Sequence, residues 1–493
     1  MQCIYDYLEK RGYDVLTSYY TYIEKWIDIW KGKAEWLNIK TVNNKEFPMY
    51  SLGMAKKVCE DLASTITSEP FKIKAKKNDE ILQTDLKNAK VLSKIPEIIE
   101  TVGYTGTVAT VTRIVNATVT GEGENATLSR GKNTKIKTID IRANQIIPLT
   151  IEDGEIINCG FVSEQTRKIN GKRKKILYLE IHELEEKGYQ VTNVYFDKES
   201  GKEIVIDGIV DTYNTLSDKP LFNILKLPKV NPIDDSNGLG IALFGSAIDQ
   251  LMILDLVYNN FGMDFKLGQK IIILNKKLTR IETEEYTDKD GQIKQRQRVV
   301  YPSDIQKQLF TDVSDGIMGK VDDKPYVYEY NPDLRVGDNK AGVQEGLNHL
   351  SFKVDFGTDY YNFDNGKVYT NTMSITTSRK DFVDNMTKIR KVVNEYLKGV
   401  CQSILLCEKM LGNAGIDEKQ EIEIAEVDGF LLDDESVRQK LLEDYNAGAI
   451  TLKRYLMKVY NLTEEEALKE ISEINEQNSI SNINLFPEPT VEE

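Results

Sequence analysis

The chain has 493 residues, 40% hydrophobic and 29% charged, with 12 prolines and a formal net charge of −14. That composition is globular rather than low-complexity, and the length exceeds one ordinary core, so two to four sub-structures are expected. Two histidines (His182, His349) and five scattered cysteines (Cys3, Cys59, Cys159, Cys401, Cys407) leave little material for His-based metal sites or for Ser-His and Cys-His catalysis. Free thiols in a reducing compartment are expected. The opening MQCIYDYLEKRGYDV has neither a basic leader nor an apolar core, and no run of 18 apolar residues follows it, so no secretory leader and no membrane span are expected.

In chain order, the first region reads as helical to about residue 76. TSYYTYIEKWIDIW puts Tyr19, Ile23, Trp26, Ile27 and Trp30 on one face, and MAKKVCEDLASTI repeats the pattern with Met54, Val58, Leu62, Ala63 and Ile66. Further helical pieces surround residues 82–92 and 95–104. The period then changes to two. TVATVTRIVNATVT, TKIKTIDI, GEIINCGFVSEQT, KKILYLEIHEL, YQVTNVYFD and KEIVIDG alternate apolar and polar residues, with turn pairs such as Asp153-Gly154 and Asn170-Gly171 between them. An antiparallel meander over about 107–210 follows from that pattern.

A turn-rich linker, LPKVNPIDDSNGLG, leads to an apolar helix expected over 241–263, roughly 35 Å long. Being apolar on most sides, it should be buried against helices of its own chain or of neighbours. A mixed-charge insertion at 266–330 holds IIIL and a hairpin turned at Asp290-Gly291. Val343, Leu347, Leu350 and Val354 then mark a second helix. After GTDYYNFDNGKVYTNT (357–372), Phe382, Met386, Ile389, Val393, Leu397, Val400, Ile404 and Cys407 keep steps of three and four through one helix of about 35 residues. The tail offers short helices: one stopping at Gly448, one capped by Thr451, and one opened by a Thr463–Glu466 capping box.

Charge is unevenly placed. Residues 421–493 hold 18 acidic and 6 basic side chains, so the preceding 420 are close to neutral. That argues against general nucleic-acid binding by the tail. No phosphate loop, nucleophile elbow, metalloprotease helix or kinase signature is present. Asp234-Asp235 and Asp433-Asp434 have no second cluster at a useful spacing and read as turn-formers and caps. No catalytic residue, no metal site and no cofactor is expected; a hydrolase would need a carboxylate cluster that activates metal or water.

The order of elements resembles the portal proteins of long-tailed bacteriophages, the type common in phages of Gram-positive bacteria. Five stretches carry the likeness: IEKWIDIWKGKAEWL with MAKKVCEDLASTITSEP; NPIDDSNGLGIALFGSAIDQLMILDLVYNNFGMDF, the most specific; YEYNPDLRVGDNKAGVQEGLNHLSFKVDFG; NFDNGKVYTNTMSITTSRKDFVDNM; and LLEDYNAGAITLKRYLMKVYNLTEEEALKEISEI. Two departures stand out. Thr372-Met373-Ser374 replaces a frequent alanine-threonine-glutamate, and AEVDGFLLDDES is a loose match.

The resemblance implies an α+β, multi-domain subunit. A wing would occupy 1–235, the first stem helix 236–265, a small α/β clip 266–335, the second stem helix 336–356, a tunnel loop 357–372, a long wing helix 373–420, an α-helical crown 421–477 and a disordered tail 478–493. It further implies a ring of twelve copies at the unique capsid vertex of the virion, assembled in the host cytoplasm. Double-stranded DNA would pass through it weakly and without sequence preference. Partners would be the large terminase, the head-tail connector or adaptor, and the major capsid and scaffolding proteins. Tyr360, Tyr361, Phe363 and Lys367 would line the channel, one lysine and three rings giving little salt-sensitive drag. The same rings packed against their own chain is the other reading open at this point. Lys294, Arg296 and Arg298 of the clip hairpin are expected to dock partners. The alternative from a different class is a capsid-associated adaptor or scaffold ring without a DNA conduit.

Overall fold

The computed structural model describes residues 1–40, 46–121, 127–169, 172–206, 210–275, 281–287, 291–299, 310–313, 327–358, 360–362, 380–413, 415–425, 441–460, 462 and 464–481. The fold is mixed α+β with several mostly antiparallel sheets. The N-terminal region comprises α1 (Gln2–Lys10), α2 (Tyr20–Trp30), a small hairpin of β1 (Asn38–Lys40) and β2 (Glu46–Pro48), α3 (Met54–Ile66), β3 (Ile73–Ala75), α4 (Asp79–Ala89) and α5 (Val91–Thr105). The residues expected on the inner faces of α2 and α3 are buried there, Trp30 only partly. The hairpin and β3 depart from the helical start expected to about residue 76.

The β region is two sheets, not one meander. β4 (Thr107–Val115) lies between β13 (Phe222–Lys226) and β7 (Lys135–Arg142), both antiparallel to it, while β5 (Thr118–Thr120) and β6 (Thr127–Ser129) form a side hairpin. The true meander is β8 (Ile146–Glu152), β9 (Glu155–Ile169), β10 (Lys172–Glu185), β11 (Gly188–Asp197) and β12 (Thr212–Asn214). KEIVIDG contributes only a bridge from Glu203 to Phe196 among the described residues. The split has a physical cause. β4 is buried along Thr107–Thr112, so it needs partners on both edges and cover on both faces. β13, 100 residues later in the chain, supplies one edge.

The apolar helix begins later than its sequence suggests. α6 spans Ile248–Leu267, whereas 241–247 is irregular, with Ile241 to Phe244 and Ala247 buried. That segment is held by the core: Leu243 N–H donates to Gly103 O at 2.7 Å, Gly240 N–H to Thr107 Oγ1 at 2.7 Å, and Tyr19 Oη to Gly240 O at 2.8 Å. The backbones of Gly106 (φ +77°) and Gly240 cross so closely that a Cβ on Gly106 would lie 2.3 Å from Gly240 O. Only glycine fits there.

The insertion holds β14 (Ile271–Asn275), flanked by β17 (Phe310–Val313) in parallel and β18 (Val327–Tyr330) antiparallel, and a separate hairpin of β15 (Ile281–Thr287) and β16 (Ile293–Val299). α7 (Val336–Lys353) returns alongside α6. α8 (Lys380–Met410) is the longest helix described, 31 residues, and it stops near Gly412 (φ +97°) rather than at 420. Its seam from Met386 to Cys407 is buried as expected, against β13, β4, α4 and α3. β19 (Ile422–Ile424) then pairs with β3, tying the end of this region to the N-terminal helices.

In the tail, α9 (Leu452–Val459) is capped by Thr451, whose Oγ1 accepts from Arg454 N–H. α10 (Glu464–Ser481) runs past 477, so residues 478–481 are helical. Thr463, Asp433 and Asp434 lie outside the described residues; Asp235 is a turn residue with φ +57°. All five cysteines are free, four buried and Cys3 half-buried. No described helix is long and apolar enough to cross a membrane, and no metal-ligating cluster occurs among the described residues.

Candidate functional site: the helix pair and the aromatic turn

α6 is apolar on nearly every side, yet its own chain covers only part of it. Leu251, Leu254, Asp255 and Asn259 face inward. Asp249, Met252, Ile253, Leu256 and Asn260 lie on the outer side at helical spacing; Met252, Ile253 and Leu256 are 41%, 50% and 48% exposed. The inner side is tightly fitted. A Cβ on Gly346 of α7 would meet Leu254 Cδ1 at 2.9 Å and one on Gly342 would meet Val257 Cγ1 at 3.2 Å, so two glycines one turn apart let the helices approach. At their far ends Asp264 accepts from Arg335 and from Asn339 Nδ2, both at 2.7 Å.

Asp255 explains how an acid survives in an apolar helix. Its carboxylate accepts from Trp36 Nε1 (3.0 Å), Ser51 Oγ (2.8 Å) and Leu52 N–H (3.1 Å), and Asn259 Oδ1 one turn on accepts from Tyr50 N–H at 3.1 Å. A buried carboxylate with three donors is satisfied. The segment 49–53 is thereby strapped to α6. The sequence signal was an aspartate inside LMILDLVY; its partners, some 200 residues away, were not legible.

The turn after α7 leaves the helix through Asp355 (φ +62°) and Gly357 (φ +83°), with Lys229 Nζ 2.7 Å from Asp355. Four rings then gather: Phe356 packs edge-on to Tyr360 (4.9 Å) and Phe382 (5.6 Å), and Tyr360 to Tyr361 (4.8 Å). Tyr361 belongs to the chain's own core. Its hydroxyl donates to Asp61 Oδ2 of α3 at 2.8 Å, and Gln344 Nε2 donates to its carbonyl at 2.8 Å. Burial first, and the Asp61 carboxylate second, push its phenol far above the ordinary range. Tyr360 stands at the edge of the same cluster, 38% exposed. Phe363 and Lys367 lie outside the described residues, as do 363–372 as a whole. Of the four expected channel residues, one is therefore an anchor and one lies at the surface beside it.

Behind the turn, Arg390 of α8 fixes the end of α3. Its guanidinium lies 3.4 Å from the Phe71 ring centroid and donates to Ile66 O and Glu69 O. Burial lowers it to about 10, against the raising influence of Glu69, so it remains charged at neutral pH and its contact with the ring is a desolvated cation–π pair.

In the insertion hairpin, Arg296 stands opposite Glu284 in register and its guanidinium lies 5.3 Å over Tyr286. Lys294 and Arg298 occupy the register positions opposite Tyr286 and Glu282. The three cations sit at alternate positions of β16, while the helix pair and the aromatic turn are built from other elements.

No family model matches the chain, and no curated protein matches it in sequence. Among solved structures it is similar to the neck of an empty GTA particle computed with C6 symmetry, at 9% identity over 89% of this chain and 93% of that one, with a TM-score of 0.39. It is also similar to the neck of a native GTA particle computed with C12 symmetry, at 10% identity over 82% and 89%, with a TM-score of 0.37. Superpositions this loose carry no argument about fold or function.

Proposed function

We propose that this chain is a portal subunit: one of a ring of copies, twelve in the virion, through which double-stranded DNA is packaged and ejected. The observation that carries the reading is the half-covered apolar helix. A helix with Met252, Ile253 and Leu256 in a row on its open side loses about 25 cal/mol of stabilisation for every Å² left in water, and an equivalent helix of a neighbouring copy would cover it. The order of elements agrees: two fitted helices interrupted by a small β insertion, then the aromatic turn, and later a long helix packed on the β sheets.

On this reading α6 and α7 are the stem, 266–335 the clip, α8 with the N-terminal helices and sheets the wing, and the acidic tail the crown. The protein acts as a conduit with no active site of its own. Tyr361 holds the root of the tunnel loop against Asp61, leaving Tyr360, Phe363 and Lys367 as the residues offered to DNA. Lys294, Arg296 and Arg298 serve docking of the large terminase and then the head-tail connector.

Native mass spectrometry with negative-stain images of one sample tests the proposal. A closed ring of about a dozen copies with a central hole is expected. A stable dimer that does not assemble further at high concentration would overturn it in favour of an adaptor without a conduit. Reversing Lys294, Arg296 and Arg298 together should abolish terminase and connector binding while the ring persists; unchanged binding would remove the docking assignment alone.

A further inference from the structure

The β9–β10 hairpin outruns its sheet. β8 pairs with β9 only as far as Phe161, and β11 pairs with β10 only from Ile176. Beyond those points β9 and β10 continue as a two-stranded ribbon, with Arg173 opposite Lys168, Lys174 opposite Arg167 and Lys175 opposite Thr166. The sequence there is TRKINGKRKK, six cations without one acid, in a chain of net charge −14.

Directly opposed like charges on one face of an antiparallel pair are destabilising, and this ribbon keeps two such pairs in succession. Some of the charge is answered within the sheet. Lys174 reaches Asp197 at 2.8 Å, Lys175 and Lys198 share Glu164, and Arg167 lies 5.4 Å over the Tyr195 ring while donating to Gln165. Lys168 and Arg173, facing each other on the other side of the ribbon from Arg167 and Lys174, are exposed and have no acidic partner among the described residues. At the ribbon's root, Gln165 and Arg167 open onto a cleft of about 520 Å³ lined also by Arg113, Lys137 and Tyr178. Glu180 lines the same cleft and neutralises the buried Arg113, so the exposed basic surface is that of the ribbon, with Lys137 on the cleft wall.

We propose that this ribbon is a binding arm for the phosphate backbone of double-stranded nucleic acid, on a different element from the α6–α7 pair and the aromatic turn. A two-stranded β-ribbon fits the major groove of B-DNA, and backbone contacts need only closely spaced cations of one sign. The uncompensated repulsion between Lys168 and Arg173 is relieved when phosphates lie between and around them. An acidic peptide would need apolar or hydrogen-bonding positions alternating with the charges; between Arg167 and Lys168 on one strand and Arg173 to Lys175 on the other, cations follow one another without such a position. The inference stands without the portal reading, because it rests on no residue of the α6 open face or of the aromatic turn.

The test is fluorescence anisotropy of the full chain with a labelled 30-base-pair duplex between 50 and 200 mM salt. The wild-type protein should bind with an affinity that falls steeply with salt. K168E/R173E should bind at least tenfold more weakly at 50 mM, with a salt slope reduced by about two, one unit per lost phosphate contact. K25E/K31E, the same charge change on and just beyond α2, should alter neither. R173E alone separates binding from architecture: it places an acid opposite Lys168, so the thermal midpoint should hold or rise while binding falls. Unchanged affinity and slope in K168E/R173E, or no duplex binding by the wild type at 50 mM, would overturn the proposal. So would capture by the ribbon of a peptide from the acidic 421–493 region in place of the duplex.

Discussion

α8 and α6 are both long, and they spend their apolar residues differently. α8 carries a seam of about one third of its surface, and its own chain covers that seam completely, from Met386 to Cys407. α6 carries apolar residues nearly all round, and its own chain covers only the side toward α7 and the 49–53 strap. The first pattern marks a helix whose folding is finished within the subunit. The second marks a helix whose environment is completed from outside. The two regions also differ in how polar groups are used: around α8 they lock elements of the core, whereas on α6 Asp255 and Asn259 tie one strap and Asp264 holds the end of α7.

If the α8 region is self-sufficient, damage there should register as lost stability. Arg113 and Glu180 form a buried ion pair, with Arg113 Nε donating to Glu180 Oε2 at 2.6 Å and His182 Nε2 3.2 Å from Oε1. Burial alone would raise the Glu180 carboxyl, but Arg113 and His182 overcome it and hold it down at about 2. R113M leaves that charge buried with only the His182 contact, and should cost about 3 kcal/mol, read as a large drop in the urea midpoint. Because the Glu180 carboxyl is depressed, its contribution is present above the ordinary carboxylate range and is lost as pH falls toward 2.

A smaller effect of opposite sign is expected where α4 meets α8. Asp85 and Glu408 share a hydrogen bond in a buried site, Arg130 pairs with Glu408, and burial together with Glu408 raises Asp85 to about 7. A raised carboxyl contributes stability that is fully present below pH 4 and is lost as pH rises through 7. D85N removes that loss. Its advantage over wild type should grow between pH 5 and pH 8.5 to on the order of 2 kcal/mol, and equal pH profiles for the two proteins would refute the shared proton. Smaller again is Y361F, which removes the phenolic donor from Asp61 and leaves it only Lys57; it should cost about 1 kcal/mol by the same denaturation assay, loosening the root of the aromatic turn.

The smallest effect on stability is the most informative. I253N/L256N changes only the open side of α6, so the subunit's midpoint should move by less than about 0.5 kcal/mol, while assembly measured by native mass spectrometry should fail. A large loss of stability with assembly intact would show that α6 is completed within its own chain and would erase the contrast with α8.

Much of this was legible in the sequence, for identifiable reasons. α2, α3, α7 and α8 announce themselves because tertiary burial follows the 3.6 period, and the capping role of Thr451 was readable from one hydroxyl before an apolar run. The misreadings share one cause, contacts distant in sequence. The 241–247 segment has a helical composition but is held irregular by Gly103, Thr107 and Tyr19. β4 and β7 look like the first strands of a meander until β13 closes on β4's other edge. At the site, the identity of the rings was clear from the sequence but not their direction; that Tyr361 turns inward depends on Asp61, 300 residues earlier.

The thiols carry a practical consequence. Burial raises Cys59 and Cys159 well above the usual thiol range, lifts Cys401 to about 12 and Cys407 higher still, and a thiol held protonated and out of water does not react. Cys3, half-buried on α1 beside the turn at Gly201, is the thiol left for a maleimide. The native chain thus brings its own single attachment point for a spin label or fluorophore, and in any closed assembly of copies that one position repeats around the axis, turning a label-to-label distance into a direct ruler of ring diameter.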